Sequence, residues 1–151
     1  MKVLIPVDGS KYTTMSLSVA SFICKPRDAE VYIMTVIPYF SDIDLELSPR
    51  DSEVLRESFS KRGEDLLEKS KKELESYGIR KITTVLLKGT SPARDIVDFA
   101  EKEKINLIVM GSRGITEEAR FLLGSVTKKV VEHSPCCVFV VRESCMEYCT
   151  L

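Results

Sequence analysis

The sequence carries almost no net charge, because 22 lysines and arginines are balanced by 23 aspartates and glutamates. A chain with this balance has no overall field that would draw it to nucleic acid or to an anionic membrane. We therefore expect neither of these partners. A site for a phosphate group has to be built locally, from a few oriented groups.

Long hydrophobic runs are missing as well. No apolar stretch approaches the roughly 20 residues that a membrane helix needs. The first residues hold only a short apolar stretch, and Asp8 follows it at once, which is not the layout of a signal peptide. We expect a cytoplasmic protein.

Metal-ligating residues are scarce and poorly spaced. His133 is the sole histidine, and it falls near a predicted helix end, where a structural role is the simpler interpretation. No two of the five cysteines have the Cys-x-x-Cys spacing on which structural zinc sites usually depend. The cysteines are Cys24, Cys136, Cys137, Cys145 and Cys149. We predict no metal ligands here, and we interpret the cysteines as small buried hydrophobes and, in Cys145 and Cys149, exposed thiols of the tail without a catalytic role.

Several familiar motifs are absent too. There is no G-x-x-x-x-G-K-[ST], no G-x-G-x-x-G after the first strand and no G-x-S-x-G elbow. These absences exclude a P-loop ATPase, a protein with an ordinary dinucleotide-binding fingerprint and a serine hydrolase of the nucleophile-elbow type. We predict no catalytic residue.

What the chain does contain is a regular alternation of strand-like and helix-like stretches. Strands are predicted at 2–7, 30–37, 81–87, 105–110 and 137–141. Helices are predicted at 11–24, at 52–77 after a loop at 39–51, from Gly89–Pro92 to about residue 103, and within 118–133. Strands 1, 4 and 5 are nearly continuous apolar runs, typical of strands covered on both faces. The pattern predicts one α/β domain over 1–142, an open parallel sheet with helices on both faces, and a short tail at 143–151.

A ligand in such a sheet binds beyond the carboxyl ends of the strands, where the winding direction reverses. We place the reversal between strands 1 and 4, so the turns Asp8–Ser10 and Gly111–Gly114 should meet there. Gly111 and Gly114 can take backbone angles closed to other residues, and their turn can present amides to an anion. From spacing alone, glycines that merely shape turns are an equally good explanation, and Asp8 either caps its turn or contacts a ligand.

The stretch Gly124-Ser125 adds a second group of donors. It is predicted to open a helix whose unpaired N–H groups and positive dipole end suit a phosphate. Ser125 can cap that helix or donate to a phosphate oxygen. Arg113, Arg120 and Lys128 can add positive charge.

These residues resemble the universal stress protein family. Its ATP-binding members carry G-x2-G-x9-G-[ST], which Gly111, Gly114, Gly124 and Ser125 match. Further similar pieces are residues 5–10, 89–93 and 133–136, so that the resemblance covers residues 2–142.

The resemblance implies a Rossmann-like sheet of the adenine nucleotide alpha hydrolase type, with strand order 3-2-1-4-5. It implies ATP, with Mg²⁺ or Mn²⁺, as the ligand: adenine and ribose near Asp8 and Val36, and phosphates along the two glycine turns. It also implies a stress-linked regulatory role with at most slow hydrolysis, and the chain shows no catalytic base. The implied nucleotide-binding residues are Pro6, Val7, Asp8, Ser10, Val36, Met110, Gly111, Arg113, Gly114, Gly124, Ser125, Val126 and Thr127.

Two features depart from the family pattern. Cys137 stands where the family often has proline, and Glu117 and Glu118 bring negative charge to the spacer of the glycine motif. The acidic spacer favours an alternative, a nucleotide-independent dimeric interaction module of the same fold, whereas the intact glycine motif favours an ATP-binding regulator.

A homodimer is expected in either case. Residues 137–141 are apolar and come last in the sheet order, and therefore lie at an edge. An uncovered hydrophobic edge invites aggregation unless it is paired. Antiparallel pairing with a second copy about a two-fold axis would cover it, and the tail after Arg142 is the alternative cover.

Overall fold

The structure is a computed structural model, and it describes residues 1–39, 47–114 and 122–143. Five strands form its sheet: β1 (Lys2–Pro6), β2 (Glu30–Pro38), β3 (Ile82–Gly89), β4 (Leu107–Gly111) and β5 (Cys137–Val141). Within the described ranges four α-helices accompany them: α1 (Lys11–Cys24), α2 (Pro49–Ser76), α3 (Pro92–Lys102) and α4 (Ser125–His133).

The strands are parallel and lie in the order β3-β2-β1-β4-β5, as the resemblance implied. Ile5 of β1 is paired with Ile33 of β2, and Leu4 on the same strand is paired with Ile108 of β4. The chain therefore winds outward from β1 in one direction and returns to the other side of β1 for β4. The predicted reversal between the first and fourth strands is confirmed.

Two hydrophobic cores lie on opposite faces of the sheet. Val3 and Ile5 of β1 pack with residues of α1 and α2, while Leu4 packs with residues of α3 and α4. Alternate residues of β1 thus serve both cores, and all three are fully buried. Burial on both faces is what the continuous apolar run of β1 predicted.

The helix α2 begins earlier than predicted, at Pro49 rather than at residue 52. Ser48 is its N-cap, and the Ser48 hydroxyl accepts a hydrogen bond from the Asp51 amide at 3.2 Å. Proline suits the first helical position because its missing N–H would be unpaired there in any case. Ser48-Pro49 therefore marks a helix start that periodicity alone did not reveal. Residues 40–46 of the predicted loop lie outside the described residues.

Strand β4 also begins later than predicted, at Leu107 instead of residue 105. Lys104 has a positive φ of 55°, and Asn106 accepts a hydrogen bond from the Lys2 amide at 2.8 Å through its side-chain oxygen. Residues 105–106 therefore belong to the turn that follows α3, although Ile105 is buried like a strand residue.

The prediction that β5 is covered on both faces is wrong. Cys137 is exposed and Phe139 is 40% exposed, whereas Val141 is fully buried. All three lie on the α1 and α2 face of the sheet, where only Val141 joins the core, so the first part of the edge strand is left uncovered.

The cysteines divide in the same way. Cys24 is fully buried, and this burial raises the pKa of its thiol to about 11, which makes it unreactive. Cys136 is half-buried and Cys137 is exposed, so the interpretation as buried hydrophobes holds for Cys24 and not for Cys137. The predicted thiols Cys145 and Cys149 lie outside the described residues. None of the helices in the described ranges has the length and apolar character needed to span a bilayer.

The cap of α2 leads to a first prediction. Replacing Ser48 with alanine removes the acceptor for the Asp51 amide and should lower the free energy of unfolding by about 1 kcal/mol. Ser58→Ala is the matched control, because Ser58 is an exposed residue within the same helix, where alanine is the better helix former. Urea denaturation of both variants measures the difference; equal stability would show that Ser48 does not stabilise this helix end.

Candidate functional site

A cavity of about 260 Å³ opens at the carboxyl ends of β1 and β4, where the winding reverses. It brings together nearly all of the residues that the resemblance implied: Pro6, Val7, Asp8, Val36, Met110, Gly111, Arg113, Gly114, Gly124, Ser125, Val126 and Thr127. Ser10 is the exception, since it does not line the cavity. Four lining residues were missed by sequence reasoning: Tyr12, Thr13, Pro92 and Ile96.

The turn after β1 is organised around the Asp8 carboxylate. Its Oδ1 atom accepts hydrogen bonds from the Ser10 amide at 3.0 Å and from the Thr13 hydroxyl at 3.3 Å. Asp8 therefore caps its turn, as one of the two sequence interpretations held. The residue is nevertheless exposed and lines the cavity, so that its second oxygen is not committed to the turn. Ser10 serves instead as the N-cap residue of α1.

The glycines at the end of β4 are required by space rather than by backbone angle. Among the described glycines only Gly9 and Gly78 have a positive φ, so the expected special angles at Gly111 and Gly114 are not present. A Cβ atom on Gly111 would overlap the Cβ atom of Tyr12, and one on Gly114 would lie 2.6 Å from Oδ2 of Asp8. Gly111 thus allows α1 to approach β4, and Gly114 allows the Asp8 carboxylate to approach the turn.

The N-terminus of α4 supplies the second wall. Gly124 is its N-cap, at φ −57° and ψ 151°, and no side chain caps the helix. The first amides of a helix have no partner within the helix, and the residues that carry them here, Ser125 to Thr127, line the cavity. Of the two roles that the sequence left open for Ser125, capping is ruled out, because Gly124 is the N-cap and Ser125 is the first residue inside the helix.

Two hydrogen bonds hold this helix end against the end of β4 and its turn, and a third ties that turn to β5. The Gly124 amide donates to the Ser112 carbonyl oxygen at 2.8 Å, and the Thr127 hydroxyl donates to the Gly111 carbonyl oxygen at 2.8 Å. The Ser112 amide in turn donates to the carbonyl oxygen of Val141 at 2.8 Å. The two glycine segments of the sequence motif are therefore one connected structure, although nine residues separate them along the chain.

Part of the cavity lining is apolar. Val36, Ile96 and Met110 line it together with Pro92, and Met110 is 5% exposed. Pro92 falls within the matching piece 89–93, so the resemblance held a signal for it. Ile96 lies one turn further along α3 and was visible only as a residue of the helical pattern. A lining that combines apolar side chains with main-chain amides suits a ligand with a flat ring and an anionic group.

Charged groups are few in the described part of the cavity. Asp8 and Arg113 are the charged side chains that line it, and the Arg113 Nε atom donates to the Leu122 carbonyl oxygen at 3.4 Å. Lys128 does not line the cavity, and Arg120, Glu117 and Glu118 lie outside the described residues. Within the ranges described, no group of three or more metal-ligating side chains occurs. A lone carboxylate and amide donors cannot hold a divalent cation by themselves.

Comparison with known proteins agrees with this architecture. The model of the universal stress protein family matches residues 1–142. A universal stress protein of Methanocaldococcus jannaschii is 40% identical over 142 residues, which cover 94% of this chain and 82% of that protein. Among solved structures, UspA of Lactobacillus plantarum gives a TM-score of 0.80 at 26% identity and covers 94% of this chain and 97% of that one. A universal stress protein in complex with cAMP gives a TM-score of 0.73 at 23% identity, covering 94% and 97% of the two chains.

The contrast between the two glycines of the β4 turn is a second prediction. Gly111→Ala forces Tyr12 and α1 away from β4, because the added carbon meets the root of the side chain, and should cost about 1–3 kcal/mol of stability. Gly114→Ala meets only the end of an exposed carboxylate and should cost less than about 1 kcal/mol. Thermal and urea unfolding of the two variants tests this; a Gly111→Ala variant as stable as Gly114→Ala would contradict the close packing of α1 on β4.

Proposed function

The chain belongs to the universal stress protein family, and on that premise we propose that it binds ATP in the cavity between β1 and β4 and acts as a nucleotide-dependent regulator. The observation that carries the proposal is the uncapped N-terminus of α4, which lines the cavity at Ser125 to Thr127. A helix end of this kind attracts an anion through its unpaired amides and its dipole.

The net charge supports this assignment of the phosphate end. A chain of net charge −1 cannot hold a polyanion by its overall field. Main-chain donors that the fold has already oriented can do so at little cost in side-chain entropy. The turn at Gly111–Gly114 and the helix start at Gly124 form such a set, because hydrogen bonds join them through Ser112.

The nucleoside end is proposed at the apolar side of the cavity. Val36 and Met110 offer a surface on which a base can lie, and Asp8, at the end of β1, offers a carboxylate that can accept a hydrogen bond from a ribose hydroxyl. A protein of the same fold holds cAMP, an adenine nucleotide. At 23% identity that likeness shows the fold alone, so the proposal rests on the cavity of this chain.

Mg²⁺ or Mn²⁺ would accompany the triphosphate in this proposal. Asp8 is the carboxylate that lines the described cavity, so most oxygen ligands of the cation would come from the phosphates and from water, as is usual for Mg²⁺. The cation would neutralise charge on the phosphates. No described lining residue is a histidine, and Asp8 is already bonded to its turn, so we propose slow hydrolysis at most.

Variants at the two ends of the cavity separate the two parts of the ligand. Gly124→Val places a branched side chain against the Arg113 backbone, since even a Cβ atom there would lie 3.3 Å from the Arg113 Cα atom. We expect it to weaken ATP binding at least tenfold, a loss of about 1.4 kcal/mol, with little effect on adenosine. Asp8→Ala should weaken both ATP and adenosine, because it acts on the nucleoside.

Isothermal titration calorimetry with ATP and adenosine measures both effects, and circular dichroism checks the fold. Leu123→Val is the matched control, because it places the same side chain one position earlier, at a residue that does not line the cavity. Unchanged ATP affinity in folded Gly124→Val would remove the phosphate assignment and favour the nucleotide-independent dimeric module.

We also propose that the chain forms a homodimer through β5. This strand is an edge of the sheet, and its apolar Phe139 is 40% exposed on a face that the helices leave uncovered. An antiparallel partner strand would satisfy the free edge and cover this ring. The cytoplasmic location remains a prediction, and so does the assignment of residues 143–151 to a short tail.

Introducing a charged side chain on the edge strand β5 tests the proposed dimer. Phe139→Lys should halve the molar mass measured by light scattering at micromolar concentration, because a buried unpaired ammonium group is costly. Val54→Lys is the control, since Val54 is a 59% exposed residue of α2, a helix that packs on β2 and β3, away from the edge strand β5. A monomeric mass for the unmodified protein would overturn the proposed dimer.

A further inference from the structure

We propose that Thr13 is a positioning residue that sets the orientation of the Asp8 carboxylate for the nucleoside. The inference rests on the proposed function and concerns the same cavity. Thr13 belongs to none of the motifs that point to a nucleotide, and it lies inside α1, one turn after the turn that holds Asp8.

The Thr13 hydroxyl uses its full hydrogen-bonding capacity on this one turn. Its oxygen accepts from the Asp8 amide at 3.2 Å and from the Gly9 amide at 3.1 Å, and its proton is donated to Oδ1 of Asp8 at 3.3 Å. A hydroxyl has one donor and two acceptor positions, so all three are occupied. The backbone and the side chain of Asp8 are thereby tied to the same oxygen atom.

The anchor itself is rigid. Thr13 is 7% exposed and lies on the helix, where a β-branched side chain has few rotamers. Gly9 has a φ of 81°, and the chain turns there so that its amide, next to that of Asp8, reaches the Thr13 oxygen. Because the Asp8 carboxylate is bonded to this fixed hydroxyl, it cannot rotate as freely as the side chain of an exposed aspartate usually does.

The two carboxylate oxygens of Asp8 therefore have different roles. Oδ1 is bonded to the Thr13 hydroxyl and the Ser10 amide, while Oδ2 lies toward Gly114 on the opposite wall of the cavity. An acceptor already held in place costs less entropy when a ligand hydroxyl binds to it. Thr13 therefore contributes to nucleoside affinity through Asp8, without having to touch the ligand.

A double-mutant cycle tests this role. Thr13→Val keeps the shape of the side chain and removes the hydroxyl, and it should weaken adenosine binding about three- to tenfold, which is the range for the net loss of one typical hydrogen bond. Thr13→Ser keeps the hydroxyl and should restore affinity to within about twofold of the unmodified protein. In an Asp8→Ala background, Thr13→Val should cause no further loss, because the group it positions is gone.

The readouts are calorimetric dissociation constants for adenosine and for tripolyphosphate, which lacks a nucleoside. Tripolyphosphate affinity should stay within about twofold in every Thr13 variant, since the phosphate end is held by other bonds. If Thr13→Val does not fold by circular dichroism, Thr13→Cys replaces it with the same expected loss, because a thiol is a weak donor and a weak acceptor.

The outcomes separate this inference from the proposed function. An unmodified protein that binds neither ATP nor adenosine overturns both. If Asp8→Ala weakens adenosine and Thr13→Val does not, the proposed function stands and the role of Thr13 is refuted. A Thr13→Val loss of equal size in the Asp8→Ala background, or an equal loss of tripolyphosphate affinity, also refutes it and leaves Thr13 as a structural residue of the turn.

Discussion

The bond between the Gly124 amide and the Ser112 carbonyl oxygen is the contact on which the arrangement of the site depends. It joins the start of α4 to the turn after β4, and the Thr127 hydroxyl repeats the connection at the Gly111 carbonyl oxygen. The donors are the N-cap residue of α4 and a residue of its first turn, and the acceptors are the last residue of β4 and the residue that follows it. The unpaired amides of α4 are consequently held at the cavity before any ligand arrives, which is the condition under which weak main-chain donors bind an anion well.

The close approach of α1 to β4 is the second constraint on the site. The turn after β1 carries Asp8 into the cavity only because Gly111 leaves room for Tyr12 on the first turn of α1. The same helix places Thr13 beneath that turn. Packing on one face of the sheet and the polar groups at its edge are therefore coupled, and a single added carbon at Gly111 disturbs both.

The sheet edge explains why exposure is unequal along the chain. In the inner strand β1 both faces are covered, and Val3, Leu4 and Ile5 are fully buried. The edge strand β5 has an equally apolar sequence, and yet Cys137 and Phe139 reach the surface because only the last residue joins the core of the α1 and α2 face. An apolar run therefore does not tell whether a strand is buried by its own chain or by a second copy.

The sequence by itself determined the parallel sheet, its reversal between β1 and β4, and the two glycine turns that meet there. The sheet and its reversal follow from apolar runs and a regular alternation of elements, whereas the joint role of Gly111, Gly114 and Gly124 was implied by the resemblance to the family motif and not by spacing alone. The start of α2 was also readable, from Ser48 and Pro49, although periodicity did not reveal it.

Only the tertiary structure decided which atoms those residues contact. The glycines of the β4 turn are needed for close approach and not for a positive φ, and this depends on where α1 lies. Thr13 and Ile96 joined the cavity because helices far apart in sequence begin at the same edge of the sheet. No local pattern carries that information, since such contacts exist only after the strands have paired and the helices have packed.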